Sequence, residues 1–111
     1  MLPTVQFTCD KGLVPPSACP ASLQALAEPY RRILEAAIHA CEETVSLTVY
    51  HWPDSPWPLL SGAYTVLKTA VDFLYDHPGI RQLEVHCAGP DCYQAYRFQW
   101  NMWFAEHKGE V

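Results

Sequence analysis

A chain of 111 residues, half of them hydrophobic, has apolar surface enough for one compact core and too little length for two domains of ordinary size. Its formal charge of −5, from 7 Lys+Arg against 12 Asp+Glu, argues against direct nucleic-acid binding, which needs a basic stripe to displace counterions from phosphates. No apolar run reaches about 18 residues, and Met1-Leu2-Pro3-Thr4-Val5 lacks the basic start of a signal peptide, so the reading is a cytoplasmic protein without membrane contact.

Thr4-Val5-Gln6-Phe7-Thr8-Cys9 alternates polar and apolar residues, the period-2 signature of a half-buried strand. Asp10 to Pro20, with Gly12, Pro15, Pro16 and Pro20, reads as a loop, and Ser22 to Ala27 as a short helical turn. Glu28-Pro29 suits the first turn of a helix to about Glu43, since proline is tolerated where its missing N–H has no partner anyway. Ile33, Leu34, Ala37, Ile38 and Cys41 form its apolar stripe. A second strand from Val45 to about His51 has Leu47 and Val49 on one face, Thr48 and Tyr50 on the other. A helix from about Leu59 to Asp76 carries Leu60, Tyr64, Leu67, Val71 and Leu74, widened by Ala63, Val66, Ala70 and Phe73, and stops at His77-Pro78-Gly79. Strand three, Arg81 to Cys87, turns Leu83, Val85 and Cys87 inward and Glu84 and His86 outward. The last helix, about Asp91 to His107, contains Tyr93, Tyr96, Phe98, Trp100, Trp103 and Phe104, and residues 108–111 fray.

This order predicts an α/β fold, a minimal three-layer βαβαβα domain with a small, mostly parallel three-stranded sheet and right-handed crossovers. Strand order stays open; 1-2-3 would put both crossover helices on one face and the C-terminal helix on the other. All three strands alternate, whereas parallel strands covered on both faces read as continuous apolar runs. The face bearing Gln6, Thr8, Thr48, Tyr50, Glu84 and His86 is therefore covered only by the final aromatic helix or is open to a partner.

Tyr30-Arg31-Arg32-Ile33-Leu34-Glu35-Ala36-Ala37, Ser46-Leu47-Thr48-Val49, Val71-Asp72-Phe73-Leu74-Tyr75-Asp76-His77-Pro78 and Leu83-Glu84-Val85-His86-Cys87, with Asp91, Tyr93 and Tyr96, together resemble the C-terminal half of the macrodomain family. The resemblance covers about residues 28 to 98 and implies a truncated macrodomain-like fold that binds, or hydrolyses links to, an ADP-ribose-type nucleotide. The family's Asn-rich and Gly-rich ribose elements have no counterpart, and its Gly-rich diphosphate loop is replaced after Val49 by Trp52-Pro53-Asp54-Ser55-Pro56-Trp57-Pro58. No functional residue of the family carries over one for one.

That loop, from His51 to Pro58, leaves the carboxyl end of a strand, where α/β proteins bind ligands. A phosphate cradle there needs glycines, yet three prolines remove donors and two tryptophans add apolar faces, chemistry suited to protein contact. His51, Asp54 and Ser55 have the residue types of an oriented imidazole activating a hydroxyl; the bland alternative has Asp54 or Ser55 satisfying the turn backbone. Glu84 and His86, joined by Tyr50, form a polar site on one sheet face that alternation alone also produces. Cys92 at a helix N-terminus has the position of an activated thiol, with His86 or His51 as its base. The five cysteines, odd in number and without a Cys-x-x-Cys pair, read as reduced thiols and lack zinc spacing.

The leading expectation is a non-catalytic protein-binding module or small acidic inhibitor, needing no cofactor or metal. Its anchors are Trp52, Asp54, Trp57, Tyr96, Trp100 and Trp103, and its partner is another protein or a second copy in a homodimer. The alternatives are the reduced macrodomain-like nucleotide binder and a phage-type antagonist whose acidity occupies the basic nucleic-acid site of a partner protein.

Overall fold

A computed structural model describes residues 3–16 and 18–104. The element order is β1 (Thr4–Cys9), α1 (Leu23–His39), β2 (Thr44–Val49), α2 (Leu59–Tyr75), β3 (Gln82–Cys87) and α3 (Pro90–Gln99), which continues into a π-helical turn, Trp100–Phe104. The expected βαβαβα order with a small parallel sheet is present. The helix tail beyond residue 104 and the frayed end at 108–111 lie outside the described residues.

The strands run in the order β1-β3-β2, so 1-2-3 is corrected. β3, with Leu83, Val85 and Cys87 all buried, takes the centre, where both of its edges are paired. Register puts Val5 and Phe7 of β1, and Val45 and Leu47 of β2, beside Leu83 and Val85. These residues share one face, and α1, α2 and α3 cover it as a layer in which α2 packs against both neighbours. The layering is thus two deep rather than three, and the aromatic helix covers the same face as the crossovers. One crossover runs outward along the sheet and the next runs back over that face, so the two cannot both be right-handed.

Helix α1 begins earlier than expected because Ser22 caps it, its hydroxyl accepting from the Ala25 N–H at 3.1 Å. Pro29 consequently lies inside the helix, and the separate turn over Ser22 to Ala27 does not exist. The helix ends four residues short of Glu43 because Cys41 adopts φ 56°, while Glu42 N–H reaches the Ala37 carbonyl and Cys41 N–H the Ile38 carbonyl. Those two bonds form a Schellman close without glycine. The core stripe is Leu26, Tyr30, Leu34 and Ala37; Ile33 and Cys41 face solvent, contrary to expectation. In α2 the buried face is Gly62, Ala63, Val66, Leu67, Ala70 and Leu74, and Leu60 is exposed. Small residues take that face because α2 is flanked on both sides.

Candidate binding surfaces

The loop after β2 folds inward. Trp52 is buried, with its ring edge-on to Tyr50 at 6.1 Å and to Trp57 at 6.4 Å. Trp57 is half-buried against α2, where a Cβ on Gly62 would stand 2.8 Å from its ring. The expectation that both indoles present a protein-binding surface is therefore corrected for Trp52 and reduced for Trp57. In a domain this small the large apolar faces gain more by covering the end of the core than by remaining in water. Asp54 stays exposed. Ser55 donates its hydroxyl to the Trp57 carbonyl and its N–H to the Trp52 carbonyl, so it holds the turn, not a catalytic relay with His51. Nδ1 of His51 and Nε1 of Trp57 are buried without a partner among the described residues.

The uncovered sheet face carries a belt of side-chain hydrogen bonds. Thr8 Oγ1 lies 2.9 Å from His86 Nδ1, and His86 Nε2 lies 3.6 Å from Glu84 Oε1. Glu84 also accepts from Ser46 at 3.1 Å and from Gln82 at 3.3 Å, and Gln82 donates to Gln6. Tyr50 does not join this group; its ring turns to Trp52. Hydroxyl, imidazole and carboxylate stand in the order of a proton relay, but acyl transfer also needs preorganised donors in a water-excluded site, and Thr8 is exposed. The belt satisfies polar groups across three strands and gives the face hydrogen-bonding valence.

Cys92 is buried at the start of α3, and its neighbours are Cys87, the Val49 carbonyl and the Ala88 backbone. A hydrogen bond from the Cys87 thiol lowers the pKa of Cys92 and raises that of Cys87, with burial adding to the rise. No imidazole is among these neighbours, and a thiol 1% exposed cannot meet a substrate in solution, so the activated-thiol reading is corrected. Burial also pushes the Tyr30 and Tyr96 phenols up, the nearby tyrosine and cysteine groups contributing further. All five cysteines are free thiols, and among the described residues no group of three or more His, Cys, Asp or Glu is placed to hold a metal.

The C-terminal helix divides its aromatics. Tyr96 is core, contrary to its expected role as a surface anchor; Trp100 is half-buried, edge-on to Phe7 at 6.3 Å. Gln99 is buried and donates to the Leu60 carbonyl at 2.8 Å, tying α3 to the start of α2. Trp103, edge-on to Tyr64 at 6.1 Å, is 64% exposed, and Met102 and Phe98 are 52% and 50% exposed. Met102 was not singled out from the sequence, although it follows Phe98 by four residues and so shares its side of a helix.

Between this helix and the outer side of β1 runs a groove of about 510 Å³, lined by Val5, Gln6, Phe7 and Thr8 on one wall and Tyr93, Arg97, Trp100 and Asn101 on the other. A second, mostly apolar groove of about 340 Å³ flanks β2, with Tyr30, Ile33, Thr48, Tyr50 and Trp52 among its lining. Among the described residues no helix is long and apolar enough to cross a membrane. No family model, curated protein or solved structure matches the chain.

Proposed function

We propose that this chain is a non-catalytic protein-binding module. The observation that carries the reading is the exposed apolar end of the last helix, where Phe98, Met102 and Trp103 each keep half or more of their surface in water. Clustered large apolar side chains on a small domain mark contact surfaces, and aromatic residues supply most of the energy in such contacts. The loop after β2 favours a polypeptide over a nucleotide: Trp57 fills the space above Gly62, near the helix start that a phosphate would approach.

The test is a Phe98→Ala/Trp103→Ala variant compared with the parent chain for mass in solution and for photocrosslinking from a diazirine methionine at Met102. Because both side chains are largely exposed, folding stability should change by less than about 1 kcal/mol. Self-association or crosslinking to a second polypeptide should be lost. A variant that retains both the parent mass and the parent crosslinks overturns the reading.

A further inference from the structure

Three features of the free edge of β1 together describe an occupant. The first is backbone valence. Thr4 N–H bonds the Arg81 carbonyl and Asp10 N–H bonds the Cys87 carbonyl, so the even-numbered residues of this parallel strand face β3. Val5, Phe7 and Cys9 then point their N–H and C=O groups outward, toward the groove. The second is shape: the groove is walled on its other side by Tyr93, Arg97, Trp100 and Asn101, residues spaced along one side of α3 and its π-helical turn. The third is charge. Arg97 is the one charged residue lining the groove; it stacks over the Tyr93 ring at 5.5 Å and donates to the Tyr93 hydroxyl at 3.3 Å. Among the described residues no carboxylate pairs with it, nor with Lys11 or Arg81, whereas Arg31, Arg32 and Lys68 each have one.

We infer that this groove binds an extended segment of another protein as a fourth strand on β1, with an aspartate or glutamate side chain of that segment on Arg97. Such a segment satisfies the outward backbone groups of Val5, Phe7 and Cys9. Its alternate side chains face the helical wall, where an apolar one meets Trp100, which packs on Phe7, and an acidic one meets the guanidinium. The remaining side chains face the polar side of the sheet beside Gln6 and Thr8. Arg97 lies midway along its wall, with Tyr93 to one side and Trp100 and Asn101 to the other. That position suits a carboxylate within the segment and not one at its chain end. The inference rests on the reading of the chain as a protein-binding module and names the partner chemistry of one of its surfaces.

The probes are synthetic peptides of about nine residues, a strand's length, alternating threonine with valine and carrying a central glutamate, glutamine or lysine. Both ends are blocked, so that only the side chain supplies charge. Fluorescence anisotropy should show the glutamate peptide binding about tenfold tighter than the glutamine one, since a carboxylate on a guanidinium makes a charge-assisted pair. Arg97→Glu should reverse the order and favour the lysine peptide. Val5→Pro should weaken all three by removing an outward N–H, while Ser46→Pro, on the opposite edge, should weaken none. N-methylating alternate amides of the peptide tests the same backbone pairing without altering the protein. No binding at millimolar peptide, equal binding of the three peptides, or a preference unchanged in Arg97→Glu overturns the inference. These outcomes are separate from loss of the Phe98, Met102 and Trp103 contact, so failure of the one proposal is told apart from failure of the other.

Discussion

The two edges of the sheet start from the same liability and meet it differently. On β2, the Val49 carbonyl accepts from Ala88, so odd-numbered residues face β3 and Thr44, Ser46 and Thr48 face outward. The outward Thr48 carbonyl is taken by the Tyr30 hydroxyl at 2.8 Å, and Pro16, Pro20 and Pro29 stand around the same groove. A side chain from α1 thus closes the carboxyl end of that edge, and prolines offer no N–H to extend it. On β1 the flanking residues are Tyr93, Arg97, Trp100 and Asn101, which leave the backbone of Val5, Phe7 and Cys9 accessible and place a cation beside it. An edge is protected by what packs next to it and not by its own sequence, since both strands alternate in the same way.

The comparison breaks most severely at Tyr30, which both closes the β2 edge and fills the core. Tyr30→Ala should cost about 3–5 kcal/mol in urea unfolding, as other large-to-small aromatic changes in cores do. A loss under about 1 kcal/mol would mean that the tyrosine does not hold this edge.

A proline pair sharpens the contrast on β1. Gln6→Pro removes an N–H that faces β3 and should cost about 3 kcal/mol or more, whereas Val5→Pro removes an outward one and should cost clearly less. Equal losses in thermal or urea unfolding would refute the assignment of outward groups. The uncovered faces of the two strands need no such test, because their side chains already bond those of β3.

Alkaline pH separates the edges by their titratable groups. Burial raises Tyr30 and Tyr96 above the ordinary phenol value of about 10, so their stabilising contribution is whole below that pH. It is lost as pH rises toward the folded-state values, at about 1.4 kcal/mol per pH unit for each phenol that ionises only when unfolded. Tyr30→Phe should remove one phenol's share of the slope above about pH 10, measured as urea midpoints against pH. An unchanged slope would contradict the burial of that hydroxyl.

The smallest effect is the edge bond by itself. At neutral pH Tyr30→Phe should cost about 1 kcal/mol, the worth of one hydrogen bond, and hydrogen exchange should speed up along β2 while β1 is unaffected. Acceleration on β1 instead would reverse the picture of which edge is closed.

Much of this surface was legible from alternation. Gln6, Thr8, Glu84 and His86 read as one polar face, and they form one, whereas Tyr50, read with them, turns to Trp52. The misreadings concern groups whose fate depends on distant residues. Trp52 and Trp57 looked like surface contacts because their loop leaves the carboxyl end of a strand and its prolines rule out a phosphate cradle, yet Tyr50 and Gly62 give both indoles a place to pack. Cys92 looked activated because it opens a helix, but the Val49 strand end buries it. Arg97 was not singled out, since a lone arginine on a helix has no sequence signature until an edge strand is beside it.

Periodicity and helix-stop residues, which act within a few residues of chain, determined by themselves the βαβαβα order, the parallel sheet and the polarity of its two faces. Tertiary structure decided the rest: that β3 takes the centre, that all three helices share one face, and that β1 is the accessible edge. The reason is range. A strand's inner and outer faces follow from its own alternation, but its neighbours follow from competition among all apolar surfaces for a single core, which no local pattern encodes.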